Sequence, residues 1–286
     1  MTLPASVAPL LRGAAFVLVG DFHQLPPLVQ SEAANAGGLG TSPMQRLAEA
    51  HPGAVAELRA QYRMADDLAR ISNVISYGGR LRAATREVAA RAMRLPRPLP
   101  DTVPAWLAKA SDPNRRVVFL DTIDLGARAH ETAGSAKGKP TNAIERDVVL
   151  DVLAALVARG ADAGACAVLS PYNSQVDAMA ADLRREEARG ALPAGAEALT
   201  IDRAQGRDVE AVVVSLVRAN EARDAGRLLA DRRRLNVAFT RAKSKLVIVG
   251  CGDTLRASPV LEQVMGVVIK HDWIVEVPRN YAGRGR

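Results

Sequence analysis

The sequence predicts an α/β domain built on a parallel sheet. Short apolar runs recur along the chain, at Ala15–Gly20, Val117–Asp121, Cys166–Ser170, Ala211–Val217 and Lys245–Gly250. They are rich in Val, Ile and Leu and lack polar alternation, as strands buried on both faces do. Helix-patterned segments separate them, the alternation that builds a sheet covered by helices. Of the 286 residues, 48% are apolar but only 3% aromatic, so aliphatic side chains and Ala must fill the core.

Taken in order, the first run ends in Gly20-Asp21 and would put polar groups at the carboxyl edge of a sheet, where α/β proteins bind ligands. Ala143–Arg159 carries Ile144, Val148, Val149, Val152, Leu153, Leu156 and Val157 on a helical stripe that a sheet face can bury. Ser174–Arg189 and Arg232–Ala242 also read as helices. Leu95–Pro104 is Pro-rich, and Gly126–Pro140 is rich in Gly, Ala and Lys without an apolar period; both read as surface loops. Arg279–Arg286 reads as a frayed basic tail.

The net charge of +7 favours an anionic partner, yet 38 Lys and Arg against 31 Asp and Glu is also ordinary for a soluble protein. Cys166 and Cys251 are too few for a disulfide framework, a four-cysteine zinc site or a cysteine-ligated iron–sulfur cluster, and read as small core residues suited to a reducing compartment. No apolar stretch approaches the roughly 20 residues that span a bilayer, and the N-terminus lacks the pattern of a secretory signal. A soluble intracellular chain without a membrane partner is expected.

Four segments carry candidate chemistry. Gly20-Asp21-Phe22-His23-Gln24-Leu25-Pro26-Pro27 follows the first run; Gln24 could report on a phosphate without carrying charge, or the segment could be a Pro-stiffened turn. In Gln61-Tyr62-Arg63-Met64, a ring able to stack on a base precedes a guanidinium able to fork onto a phosphate, although such a tetrapeptide is commonly a helix start. Thr200–Asp208 (TIDRAQGRD) offers Gly206 for close backbone approach and the Asp208 carboxylate, or is a charged turn. In Arg232–Lys245 (RRRLNVAFTRAKSK), a continuous helix would put Arg234 and Arg241 on one face, either as solvated surface or as presented arginines.

In this order the four segments resemble motifs III, IV, V and VI of superfamily 1 helicases of the up-frameshift branch, and most resemble the eukaryotic DNA replication ATP-dependent helicase/nuclease. Ser170-Pro171-Tyr172-Asn173-Ser174-Gln175 and Asn142-xx-Glu145 resemble second-domain segments of that branch. The resemblance runs from about Leu3 to Val277. It implies a RecA-like fold: a C-terminal remnant of the first motor domain over 1–58, a complete second domain over 59–278, and the basic tail 279–286. It implies ATP with Mg²⁺ between two such domains. Gln24 would couple the γ-phosphate to domain movement, Tyr62 would stack on adenine, and Arg63 and Arg241 would act as arginine fingers. Gly206 and Asp208 would complete the nucleotide edge. Ser170, Pro171, Tyr172, Thr200 and Gln205 would lie at single-stranded DNA. It implies a nuclear site and replication proteins as partners.

Two departures stand out: Phe22-His23 inside GDxxQ, and Asp208 where Glu is common, one methylene shorter in reach. The P-loop pattern GxxxxGK[ST] and an Asp-Glu box do not occur in the sequence. Gly134–Thr141 fails as a P-loop because Ala133 and Pro140 stand at two required positions. The metal ligands, the first RecA-like domain and a nuclease portion with its iron–sulfur cysteines are therefore expected elsewhere, and no ATP hydrolysis by this chain alone. Two alternatives stay open: a non-catalytic nucleic-acid-binding module from a shortened gene, and an RNA helicase of the same branch.

Overall fold

A computed structural model describes residues 1–133 and 139–284. The chain divides into two compact units, Met1–Arg59 and Ala60–Arg286.

The first unit holds short helices at Leu3–Leu10, Glu32–Ala36 and Pro43–Ala50; the hydroxyls of Ser31 and Ser42 cap the latter two by accepting from Ala34 N and Gln45 N. The run Ala15–Gly20 is not the strand its composition predicts. Val17 and Val19 are 87% and 90% exposed. A parallel strand needs neighbours for its N–H and C=O groups, and residues 1–59 supply no strand to pair with.

The second unit is a six-stranded parallel sheet. Its strands are β1 (Val117–Asp121), β2 (Cys166–Ser170), β3 (Glu197–Thr200), β4 (Val209–Ser215), β5 (Ala242–Gly250) and β6 (Ile274–Glu276), in the order β6-β1-β5-β4-β2-β3. The central strands are buried on both faces, which is why they read as continuous apolar runs. The helices used below are α1 (Asp66–Ser72), α2 (Ala143–Ala158), α3 (Asn173–Ala188), α4 (Arg232–Phe239) and α5 (Pro259–Lys270). One sheet face offers Val118, Leu120, Val168, Val213 and Val247 to Val149, Leu153 and Leu156 of α2 and to Met179 and Leu183 of α3. Alternate residues such as Phe119 and Ile248 point to the opposite face. There α1 packs on β5, and α4 and α5 pack on the turn of π-helix at Asn73–Tyr77.

The helices α2 and α3 and the strands β1 and β2 match the sequence pattern. The others shift for local reasons. The predicted strand Ala211–Val217 runs instead from Val209 to Ser215. It stops because Val217 adopts φ 72° and Arg218 N bonds to Leu216 O at 2.8 Å, a γ-turn of the strained kind. The predicted helix Arg232–Ala242 ends at Phe239: Thr240 turns its hydroxyl onto the carbonyls of Asn236 (2.8 Å) and Val237 (3.2 Å), and β5 begins at Ala242. Edge strands β3 and β6 are too short to register as apolar runs. Helix α5 does carry a legible start, Ser258-Pro259, in which Ser258 caps Leu261 N.

The loop predicted over Gly126–Pro140 contains part of a 3₁₀ turn (Ile123–Ala129) and, at its end, an antiparallel pairing of Thr132–Ala133 with Pro140–Thr141. Residues Gly134–Gly138 of the rejected P-loop lie outside the described residues. The tail is not frayed up to Arg284. The Tyr281 hydroxyl donates to Asp151 Oδ2 (2.6 Å), its ring meets Trp106 edge-on, and Arg284 pairs with Asp151 (2.7 Å) and Glu186 (2.5 Å). Among the described residues no helix is long and apolar enough to cross a membrane.

Candidate functional site

Parallel pairing sets the site. Val209 at the start of β4 lies opposite Ala242 at the start of β5, and Val209 N bonds to Arg241 O at 3.2 Å. The residues just before these strands, Asp208 and Arg241, therefore meet at the amino edge of the sheet. Arg63 arrives from the turn ahead of α1. Its Nε lies 2.9 Å from Asp208 Oδ2, while Arg241 Nη1 lies 3.9 Å from Oδ1 of the same carboxylate. One carboxylate thus faces two guanidinium groups.

The two arginines are held differently. Arg241 is only 3% exposed; its Nε donates to Val237 O (3.0 Å), Nη1 to Arg207 O (3.4 Å) and Nη2 to Thr240 Oγ1 (3.0 Å). Burial, then the nearby positive charge of Arg63, pushes its pKa below the usual arginine range, and Asp208 opposes both. The helix-face pairing with Arg234 does not occur, because the helix ends before Arg241. Arg234 instead pairs with Asp202 and Asp231, each at 3.1 Å. Arg63 is half-exposed and donates from Nη1 to Thr240 O at 3.2 Å.

Gln61 shapes the turn that presents Arg63. Its Oε1 accepts from Arg63 N (2.9 Å) and Met64 N (2.7 Å), and its Nε2 donates to Met64 O (2.7 Å). Arg91 donates to the Arg63 carbonyl, and Arg116 holds Arg91 O at 2.7 Å. Sequence reasoning did not find these supports, since nothing local to QYRM marks residues about thirty and fifty positions on. Tyr62, between Gln61 and Arg63, is 69% exposed and leaves its ring face open. Gly206 has φ 83° and open space where a side chain would stand, so close backbone approach is permitted.

The opposite, carboxyl edge of the sheet carries the second set of predicted residues. Ser170 at the end of β2 pairs with Thr200 at the end of β3. The Ser170 hydroxyl accepts from Tyr172 N (3.4 Å), and the Thr200 hydroxyl from Arg203 N (3.3 Å). Ser170, Pro171, Tyr172 and Thr200 are buried, and Gln205 is exposed. Burial raises the Tyr172 pKa above the usual phenol range, against the pull of Arg218 beside it. Arg203, which the sequence reading did not single out, is exposed on this edge and has no ion pair or side-chain hydrogen bond with the described residues.

The segment Ile201–Arg207 runs between the two edges. It leaves β3 at the carboxyl edge, passes over β2, and enters β4 at the amino edge. A cavity of about 290 Å³ lies under it, lined by Ala167, Leu169, Leu199, Ala204, Arg207 and Arg241 among others. Gln24 belongs to the first unit, where its Nε2 donates to Asp21 Oδ2 (3.0 Å) and its N to Asp21 O (3.2 Å). Among the described residues no group of three or more His, Cys, Asp or Glu could hold a metal ion.

Comparison with known proteins gives the family of the chain. The chain is 38% identical over 280 residues to the DNA replication ATP-dependent helicase/nuclease of Arabidopsis thaliana, covering 97% of this chain and 20% of that protein. It is 33% identical over 284 residues to the protein of that description from Saccharomyces cerevisiae, covering 96% of this chain and 18% of the relative. For the human protein the values are 34% over 286 residues, 96% and 26%. The chain thus spans about a fifth to a quarter of the length of these relatives. A family model described as an AAA domain matches residues 39–253, and the chain belongs to that family.

Proposed function

We propose that this chain is the C-terminal motor portion of an ATP-dependent DNA helicase of the replication helicase/nuclease type. It would supply two arginines to a nucleotide and an edge to single-stranded DNA. The observation that carries the reading is the convergence of Arg63 and Arg241 on the single carboxylate of Asp208. Two fixed guanidinium groups against one carboxylate leave one positive charge uncompensated, a fit for a phosphate.

In this reading Arg63 and Arg241 hold the terminal phosphate, and Asp208 is a positioning residue that keeps the two cations from separating. Tyr62 stacks on the adenine and Gly206 lets the backbone approach; for Gln24, in the first unit, coupling to the γ-phosphate is what the resemblance implies. ATP with Mg²⁺, when bound, supplies the phosphoryl group and a metal charge whose protein ligands lie elsewhere. Charge stabilisation by an arginine finger contributes about 10³–10⁵ in rate. Without a P-loop lysine, the 286-residue chain is expected to bind nucleotide weakly and not to turn it over. The backbone and hydroxyls of Ser170, Pro171, Tyr172 and Thr200, with Gln205, form the strand-binding edge, so recognition would ignore base sequence and weaken with salt. Action in the nucleus with replication proteins and a first motor domain follows from the same reading.

Fluorescence anisotropy with matched single-stranded DNA and RNA oligonucleotides tests it. Sequence-independent DNA binding that falls steeply with salt is expected. Preference for RNA would move the substrate to RNA, and absence of binding to either would overturn the strand-binding role.

A further inference from the structure

The fold contains a buried polar hub that neither the nucleotide cluster nor the strand-contacting residues use. Glu145, Asn142, Ser215 and Gln175 are between 0% and 1% exposed. Glu145 Oε2 accepts from the Ser215 hydroxyl (2.6 Å) and from Val217 N (2.8 Å). Asn142 caps α2 by accepting from Glu145 N (3.0 Å), and its Nδ2 donates to Ala129 O (2.8 Å) and Val217 O (3.1 Å). Gln175 donates to Ser215 Oγ (2.9 Å) and Asn142 O (3.1 Å), and accepts from Asn142 N (3.0 Å).

A fully buried carboxyl is costly, and a fold tolerates one only where its hydrogen bonds are needed. What these bonds hold is the γ-turn at Val217. A β-branched residue at φ 72° is strained and persists only when its surroundings over-determine it. Both polar backbone groups of Val217 are taken by the hub, N–H by Glu145 and C=O by Asn142. The next residue, Arg218, is thereby turned to pair with Glu131 (2.9 Å) and Asp224 (2.9 Å) and to lie against the Tyr172 hydroxyl. Gln175 closes the circuit, since its own N–H bonds to Tyr172 O (3.1 Å) at the start of α3. One carboxyl therefore ties the end of β4, the start of α2 and the start of α3 to the segment bearing Ser170 and Tyr172.

We propose that Glu145 is a positioning residue for single-stranded nucleic acid: through Ser215, Val217 and Gln175 it fixes the γ-turn that seats Arg218 against Tyr172. The inference rests on the strand-binding role given above. It needs an oxygen that accepts from both Ser215 Oγ and Val217 N, which glutamine also supplies; the other Glu145 oxygen takes only a long bond from Asn142 Nδ2 (3.4 Å). Burial, opposed by the bonds from Ser215 and Val217, raises the Glu145 pKa to about 8.

The test compares Glu145→Ala, Glu145→Gln and wild type in the 286-residue chain by oligonucleotide anisotropy and by hydrogen exchange. Glu145→Ala is expected to weaken DNA binding at least tenfold and to release the amides of Val217 to Asn220, with β5 as protected as in wild type. Glu145→Gln is expected to restore affinity and protection to within about twofold. If Glu145→Ala does not fold, Ser215→Ala takes its place and should weaken binding threefold or more. A wild-type chain that does not bind DNA overturns the strand-binding role and this inference with it. If wild type binds and the alanine variants bind equally well, or if glutamine fails to rescue, the inference alone falls.

Discussion

Replacing Lys245 with Met should remove a pH dependence that the wild-type fold carries. Lys245 is 0% exposed within β5, and its Nζ donates to the carbonyls of Asp112 (2.7 Å) and Arg115 (2.5 Å). Burial lowers its pKa from 10.5 to about 7; the Asp112 carboxylate opposes this, while the charges of Arg115 and Arg159 add to it. At about 1.4 kcal/mol per unit, holding the ammonium in the fold costs roughly 5 kcal/mol relative to the unfolded chain. The folded pKa lies below the unfolded one. Between about pH 7 and pH 10.5 the unfolded chain therefore binds more protons, and stability rises with pH. Below about pH 7 the amine is charged in both states and the full cost stands. Met keeps most of the stem volume but deprives two carbonyls of a donor, at about 1–3 kcal/mol each. The informative quantity is the wild-type minus Lys245→Met difference in unfolding free energy, which cancels every other titrating group. Urea unfolding followed by the fluorescence of Trp106 and Trp273, both 8% exposed, should show it rise by roughly 2–3 kcal/mol between pH ~6.5 and pH ~9. A difference flat to within about 0.5 kcal/mol would refute the reasoning, because it would mean the amine has no depressed pKa.

Other consequences follow from single contacts. Arg203→Ala should weaken single-stranded DNA binding about three- to tenfold at low salt and reduce the salt slope by about one, if Arg203 meets a phosphate; an unchanged slope would take it off the strand path. Tyr281→Phe removes the hydrogen bond to Asp151 but keeps the ring on Trp106, and should cost about 1–2 kcal/mol in urea unfolding; no loss would mean that the C-terminal segment does not hold the domain.

The central sheet was legible because β1, β2, β4 and β5 are buried on both faces and have no polar alternation to hide them. The ends of those elements were not. Val217 continues the apolar run but turns into a γ-turn because hub residues far away in sequence claim its N–H and C=O. Phe239 precedes Thr240, whose hydroxyl ends the helix, so a periodicity drawn through Arg241 paired it with the wrong arginine. The run Ala15–Gly20 has the composition of a buried strand but no neighbour within its unit. At the site, motif order named Arg63, Asp208 and Arg241, but only the strand register explains why Asp208, one methylene short, is placed between both guanidinium groups. Gln61 supports the turn from within the QYRM segment, whereas the supports from Arg91 and Arg116 arise from tertiary contacts and leave no local signal.

The central claim is that Arg63, Asp208 and Arg241 form one half of a nucleotide site. Amide chemical-shift mapping of the isotope-labelled chain with Mg²⁺-ATP at millimolar concentration tests it most directly. Shifts at Tyr62, Arg63, Gly206 to Asp208 and Arg241, lost in Arg241→Ala while resonances away from Arg241 keep their wild-type positions, are the predicted result. Shifts that avoid this cluster, or that survive Arg241→Ala unaltered, would contradict it.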